Sequence, residues 1–168
     1  MKTLIVYGTR YGCTQKCAEL LRERLPGDVR LQNAKAARGP LQGYDAVIVG
    51  GSVYMGKIRP EVSRFCRRHR GELLKKRLGL FACCYTPNET AGFLETLFPR
   101  ELLDHAAYAA AVGGEMRYEK MNVVYRRLFE SLKKMEGFRE GFREPHIDGE
   151  EIQKLADAIL NATDRGAR

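Results

Sequence analysis

The chain has 168 residues, 44% hydrophobic and 30% charged, the balance of a soluble globular protein. That length fits one domain built on a single core, and no apolar run approaches the ~18 residues of a membrane span. The net charge of +8 is unevenly placed: residues 57–77 hold nine Lys or Arg against Glu61 and Glu72, a local +7 that calls for an anionic partner. Aromatic residues are not interleaved there beyond Phe65, which argues against nucleic acid.

The stretch Lys2–Tyr7 is a β-branched strand. Its apolar run is too short for an export signal and breaks into Gly8-Thr9-Arg10, so a cytosolic chain is expected. Five cysteines, an odd number without CxxC spacing, then read as free thiols. Thr14 is placed to cap a helix carrying Cys17, Ala18, Leu20, Leu21 and Leu25 at helical spacing, stopped by Pro26-Gly27. Val29–Gln32 alternates as a second strand. Ala46–Val49 is a continuous apolar run suited to a strand buried on both faces, ending in the loop Gly50-Gly51-Ser52.

Pro60 suits a helix first turn, followed by a narrow apolar stripe of Val62, Phe65, Cys66, His69, Leu73 and Leu74. Leu78–Cys84 is a fourth strand, and Asn88 opens a helix over Ala91–Leu97 ended by Pro99. Ala107–Val112 is a fifth strand, ending at Gly113-Gly114. Asp148-Gly149-Glu150-Glu151 has the form of a capping box before a last helix with Ile152, Leu155, Ala156, Ile159 and Leu160 on one face. Strands alternating with helices predict a parallel α/β sheet covered on both faces, in the flavodoxin-like order 2-1-3-4-5. Ligands then bind at the carboxyl ends of the strands, where strands 1 and 3 diverge. The segment at about 115–147 is surplus to that plan and reads as an insertion in one domain spanning 1–168.

Gly8-Thr9-Arg10-Tyr11-Gly12-Cys13-Thr14 joins a strand to a helix, so backbone N–H groups and a helix dipole point at whatever sits there. Thr9 and Thr14 add hydroxyls, and Gly8 and Gly12 permit close approach. The loop has neither a Gly-Lys-Ser/Thr ending nor GxGxxG spacing, which excludes a Walker A loop and a dinucleotide fingerprint. It resembles the phosphate loop of the flavodoxins, with Arg10 and Cys13 departing from the commonest form. A receiver domain shares the topology, but Gly50 stands where its aspartate is required and Gly8-Thr9 where its acidic pair belongs.

The resemblance implies FMN, held by Thr9, Arg10, Tyr11, Gly12, Cys13 and Thr14 of the first loop. The second loop would contribute Ser52, Val53, Tyr54, Met55 and Gly56; Tyr54 and Met55 offer faces to a flat ring. Cys84, Tyr85 and Thr86 of a third loop would complete the set with Gly114. Ser52-Val53-Tyr54-Met55-Gly56-Lys57 and Gly113-Gly114 with Arg117-Tyr118 resemble a flavodoxin subfamily that includes the menaquinone-dependent protoporphyrinogen IX dehydrogenases. That likeness implies an FMN-dependent oxidoreductase passing electrons to a quinone or similar acceptor, with no catalytic side chain and no metal. The alternative is an electron carrier docking on a redox partner protein, though such carriers are typically acidic.

The thiols have blander readings. Cys83-Cys84 reads as small apolar filler. Cys13, at a helix N-terminus, is the better reactive candidate, yet packing beside the phosphate is the favoured role. In the surplus segment Met121, Val124, Tyr125, Leu128, Leu132 and Met135 make one apolar stripe beside Lys120, Arg126, Arg127, Lys133 and Lys134. Packing on the protein's own body is the favoured reading; contact with an anionic membrane is the second.

Overall fold

The computed structural model describes residues 1–84, 92–115, 123–135, 137 and 145–162. Its strands are β1 (Lys2–Gly8), β2 (Asp28–Asn33), β3 (Ala46–Tyr54), β4 (Lys57–Ile58), β5 (Arg77–Cys83) and β6 (Tyr108–Ala111). Five run parallel in the order β2-β1-β3-β5-β6, while β4 pairs antiparallel with β3. Apart from β4, this is the expected 2-1-3-4-5 order.

Parallel strands need crossovers, and the crossovers bury both faces. On one side α1 (Cys13–Arg24) and the last helix, α6 (Gly149–Asn161), pack Cys17, Leu21, Ile152 and Leu155 against Ile5, Ile48 and Phe81. On the other, α2 (Pro60–Arg68), the single turn α3 (Arg70–Leu73) and α4 (Arg100–His105) set Val62, Phe65, Leu73 and Leu102 against Leu4, Val6, Val47, Val49 and Leu80. The period-2 alternation of β1, β3 and β5 sorts these residues to their faces. Each fully buried Leu, Ile or Val contributes about 1.5–3 kcal/mol.

The helix ends follow their sequence signals in part. Leu25 is extended, as the residue before a proline must be, and ends α1. Asp148 caps α6 by accepting from the N–H groups of Glu150 and Glu151 at 2.9 and 3.1 Å. The reciprocal half of the capping box is missing, because the Glu151 carboxylate is taken by Tyr108 Oη and Lys154 Nζ at 2.8 and 2.7 Å.

Four expectations need correcting. The third strand does not stop at Val49 but runs on to Tyr54 and turns back through Met55-Gly56 into β4, so most of the second loop is a hairpin. Thr14 does not cap α1: Gly12 is the N-cap, with φ 93°, and the helix has begun before Thr14. Pro99 does not end a helix but precedes α4; upstream lies one 3-10 turn, Leu94–Thr96, while Asn88 and Ala91 lie outside the described residues. Fixed φ makes proline as good an entry to the next helix as a stop.

The fourth concerns α5 (Val123–Leu132). Val124, Leu128 and Met135, expected to pack inward, are 70%, 55% and 61% exposed, and Phe129 is buried instead. One residue along a helix is a rotation of about 100°, and the large phenyl ring outweighs the valine and leucine beside it. Met121 and the side chain of Tyr125 fall outside the described residues. Among those residues no helix is long and apolar enough to cross a membrane.

Gly50 of β3 pairs with Phe81 of β5, and a Cβ at Gly50 would run into the Phe81 ring. Gly50→Ala should therefore cost about 1–3 kcal/mol by overpacking, read as a lower urea midpoint. Gly71→Ala, where a Cβ meets open space, is the control. A Gly50→Ala loss no larger than the control's would show that the ring has somewhere else to go.

Candidate functional site

Three segments meet at the carboxyl ends of β1, β3 and β5. The first is Gly8–Gly12. Gly12 donates its N–H to Thr9 Oγ1 at 2.9 Å, which leaves the Thr9 hydroxyl proton free to be donated onward. No side chain caps α1, and the Thr14 Oγ1 is buried without a hydrogen-bond partner among the described residues. An uncapped helix N-terminus with such a hydroxyl in its first turn has donors that could hold an anion.

The second segment is the β3–β4 hairpin. Met55 and Gly56 have φ of 51° and 71°, the positive pair that a two-residue type I′ turn needs. Glycine adopts it freely, whereas at Met55 the left-handed conformation costs roughly 1–2 kcal/mol, and its side chain is 78% exposed. Ser52 Oγ is a second buried hydroxyl without a partner among the described residues. The Arg10 guanidinium lies 4.4 Å from the centre of the Tyr54 ring and 5.2 Å from that of Tyr11, tying the first segment to the hairpin. Tyr54, expected to offer its ring to a flat ligand, thus has one cation–π partner already.

The third segment begins at Cys84, half-buried, whose N–H donates to the Gly113 carbonyl at 2.9 Å. Gly114 is buried and donates to the His146 carbonyl at 3.0 Å, which stitches the return chain to the sheet edge. Cys13 opens α1 and accepts at Sγ from the Glu115 N–H at 3.1 Å. Val53 pairs with Ile58 in the hairpin. Tyr85 and Thr86 lie outside the described residues.

Beside the hairpin is a groove of about 650 Å³ lined by Tyr54, Lys57, Arg59, Arg64, Arg67 and Thr96, among others. That volume is within the ~300–1,000 Å³ of small-molecule sites. Arg59 Nε donates to the buried Glu61 carboxylate at 3.0 Å. Burial alone would push Glu61 up, but its own backbone N–H and Arg59 hold it below the usual carboxylate value. With Arg59 neutralised, Lys57, Arg64 and Arg67 give the groove its positive excess. The basic run was legible in the sequence; which cations face the groove was not, and Arg68 does not line it. Pro60, Ser63, Arg64 and Arg67, spaced three and four apart on α2, carry the signal that identifies its wall.

Residues 4–140 match the flavodoxin domain. The chain belongs to the flavodoxin family. It is 25% identical to protoporphyrinogen IX dehydrogenase [quinone] of Escherichia coli (strain K12) over 98% of both chains. Its fold matches that of oxidised flavodoxin 2 from Bacillus cereus, with a TM-score of 0.53 and 20% identity over 95% of this chain and 98% of that one. Rubredoxin oxygen:oxidoreductase from Desulfovibrio gigas contains the same fold, with a TM-score of 0.54 and 20% identity. There the match covers 96% of this chain but 37% of the relative. A flavodoxin-type flavoprotein is an oxidoreductase or an electron carrier.

A buried hydroxyl without a partner costs roughly 1–3 kcal/mol. Thr14→Val should therefore raise the unfolding free energy of flavin-stripped protein by about 1 kcal/mol, measured by urea titration. A fall instead would mean that Thr14 Oγ1 has a partner in the stripped protein.

Proposed function

We propose that the chain is an FMN-dependent oxidoreductase resembling protoporphyrinogen IX dehydrogenase, taking electrons from an anionic porphyrinogen-class substrate and passing them to a quinone or similar acceptor. The observation that carries this reading is the cationic groove, which opens against Tyr54 of the hairpin. The full-length likeness to the Escherichia coli dehydrogenase supports it. The family's electron carriers are typically acidic, and a cationic groove sets this chain apart from them.

The cofactor site fits a phosphate-bearing flavin. Thr9, Thr14 and the main-chain N–H groups of Arg10, Tyr11 and Cys13 would hold the phosphate, with Gly12 shaping the loop between them and Arg10 balancing its charge. Ser52 would donate its unpartnered hydroxyl; Val53, Tyr54, Met55 and Gly56 would border the ring, with Cys84, Tyr85, Thr86 and Gly114 on the opposite edge. FMN supplies the hydride and one-electron chemistry when bound. The protein's own work is to hold it, to exclude water with Tyr54, and to draw carboxylates toward Lys57, Arg64 and Arg67.

The same reading places the whole of 1–168 in one domain with 115–147 as an insertion, in the cytoplasm. The exposed Val124, Leu128 and Met135, beside the exposed Arg126, Arg127, Lys133 and Lys134, suit peripheral contact with an anionic membrane. A quinone acceptor would dissolve there.

Purified protein should be yellow and release FMN, not FAD, on acid treatment. Thr14→Val should weaken FMN by roughly 1.5–3 kcal/mol, the worth of a bond to a charged group, and leave riboflavin nearly untouched, as titration calorimetry would read. Equal losses for both flavins would remove Thr14 from the phosphate site, and protein that takes up no flavin would end the cofactor reading.

Arg64→Glu with Arg67→Glu should lower the second-order rate with a porphyrinogen while FMN affinity stays the same. In the parent that rate should fall with salt as the Debye length shrinks from about 10 Å at 0.1 M to about 3 Å at 1 M. Fast reduction of a small dye with no porphyrinogen turnover would make the protein a carrier.

A further inference from the structure

Cys13, Cys17 and Cys83 bring three thiols together in the interior, all Sγ atoms within 4.8 Å of one another. Cys13 and Cys17 stand one turn apart on α1, at i and i+4, and Cys83 is the last residue of β5. The Cys83 thiol donates to Cys13 Sγ at 3.0 Å. Hydrogen bonding with Cys13 is the largest influence holding both Cys17 and Cys83 well above the ordinary thiol range, and burial adds to it. The proposed flavin site uses only the main chain of Cys13, so the three sulfurs are left without a role.

Three converging sulfurs suit a soft, thiophilic ion. Among the described residues no fourth Cys, His, Asp or Glu joins them. A structural zinc site takes four ligands, with sulfurs about 2.3 Å from the metal. Three thiolates on Zn²⁺ would also leave a net negative charge in the core, which costs several kcal/mol to bury. A trivalent, three-coordinate centre meets neither difficulty, because three sulfurs complete its shell and the product is neutral.

We propose that Cys13, Cys17 and Cys83 form a three-sulfur site for a trivalent metalloid, with arsenite as the representative ligand. As(OH)₃ enters past Cys13, which at 8% is the most exposed of the three. Each thiol then condenses with one hydroxyl: an As–O bond breaks, an As–S bond forms, and the thiol proton leaves in water. Three waters are released, no electrons change hands, and neutral thiols give a neutral complex.

The test is arsenite binding to purified, reduced protein, followed by equilibrium dialysis with elemental analysis. One arsenic per chain is expected, with three sulfur neighbours by X-ray absorption. Cys13→Ser, Cys17→Ser and Cys83→Ser should each weaken binding more than tenfold, whereas Cys66→Ser and Cys84→Ser should bind like the parent. The sulfur count on the parent protein keeps the test decisive if a variant fails to fold. Two sulfur neighbours, binding that survives Cys17→Ser, or a tighter site for Zn²⁺ or Cd²⁺ than for arsenite would each overturn the proposal. So would air oxidation to a Cys13–Cys83 disulfide with arsenite present.

Discussion

Val62 sits over a pair of glycines, and the site depends on that contact. Gly8 ends β1 beside Gly51 of β3, and a Cβ at Gly8 or Gly51 would lie 2.5 or 3.1 Å from Val62 Cγ2. With no side chain at either position, α2 descends onto the sheet where β1 and β3 part. Ile58 closes on Gly51 from the hairpin side in the same way, 2.6 Å from a Cβ there. The carboxyl ends of the strands are thus walled on one side by a basic helix and a hairpin, while α1 starts on the other. Larger residues at those positions would hold α2 off the sheet and separate the groove from Tyr54.

The charges on α2 follow from its dipole only in part. Glu61 in the first turn and Arg67 and Arg68 in the last are where the dipole favours an acid and bases. Arg64, mid-helix and exposed, gains nothing from it, and Lys57 lies outside the helix. Like charges around one groove repel, and nothing in the helix's own stability asks for Arg64 or Lys57. An anion in the groove, as proposed, would offset that repulsion, which is why the groove and not the net charge carries the proposed function.

Strand order, both helical layers and the Asp148 cap were legible because each rests on local pattern: continuous apolar runs, 3.6-residue spacing, one carboxylate at a helix start. The hairpin was not, since Ser52-Val53-Tyr54 reads as loop between glycines, and only pairing with Lys57-Ile58 makes it strand. Its turn has Met55 where an Asn or Gly would have announced it. The rotation of α5 was hidden as well: Val124, Leu128 and Met135 form a better stripe by count than Phe129 does, and only packing reveals that one ring decides. Cys17 was read as a core residue of α1. Its four-residue separation from Cys13 was visible, but Cys83 comes beside them only through the crossover that places β5 next to β3.

Local rules fail together at one place. Met55 holds a left-handed backbone without being glycine, and among the described residues no side chain caps α1 and the buried Thr14 and Ser52 hydroxyls find no partner. Among the described residues Thr3 Oγ1 and His69 Nε2 lack partners too, but Thr3 lies at the start of β1 and His69 where α2 gives way to α3, both away from that place. A fold under selection for stability alone would remove such costs with a Gly at 55 and apolar side chains at 14 and 52. Glycine at 12 answers the left-handed backbone there, and the hydroxyls of Thr14 and Ser52 would gain an acceptor in the proposed flavin complex. The stability these residues give up is stability that binding can return, because a ligand that holds only the folded state stabilises it by mass action.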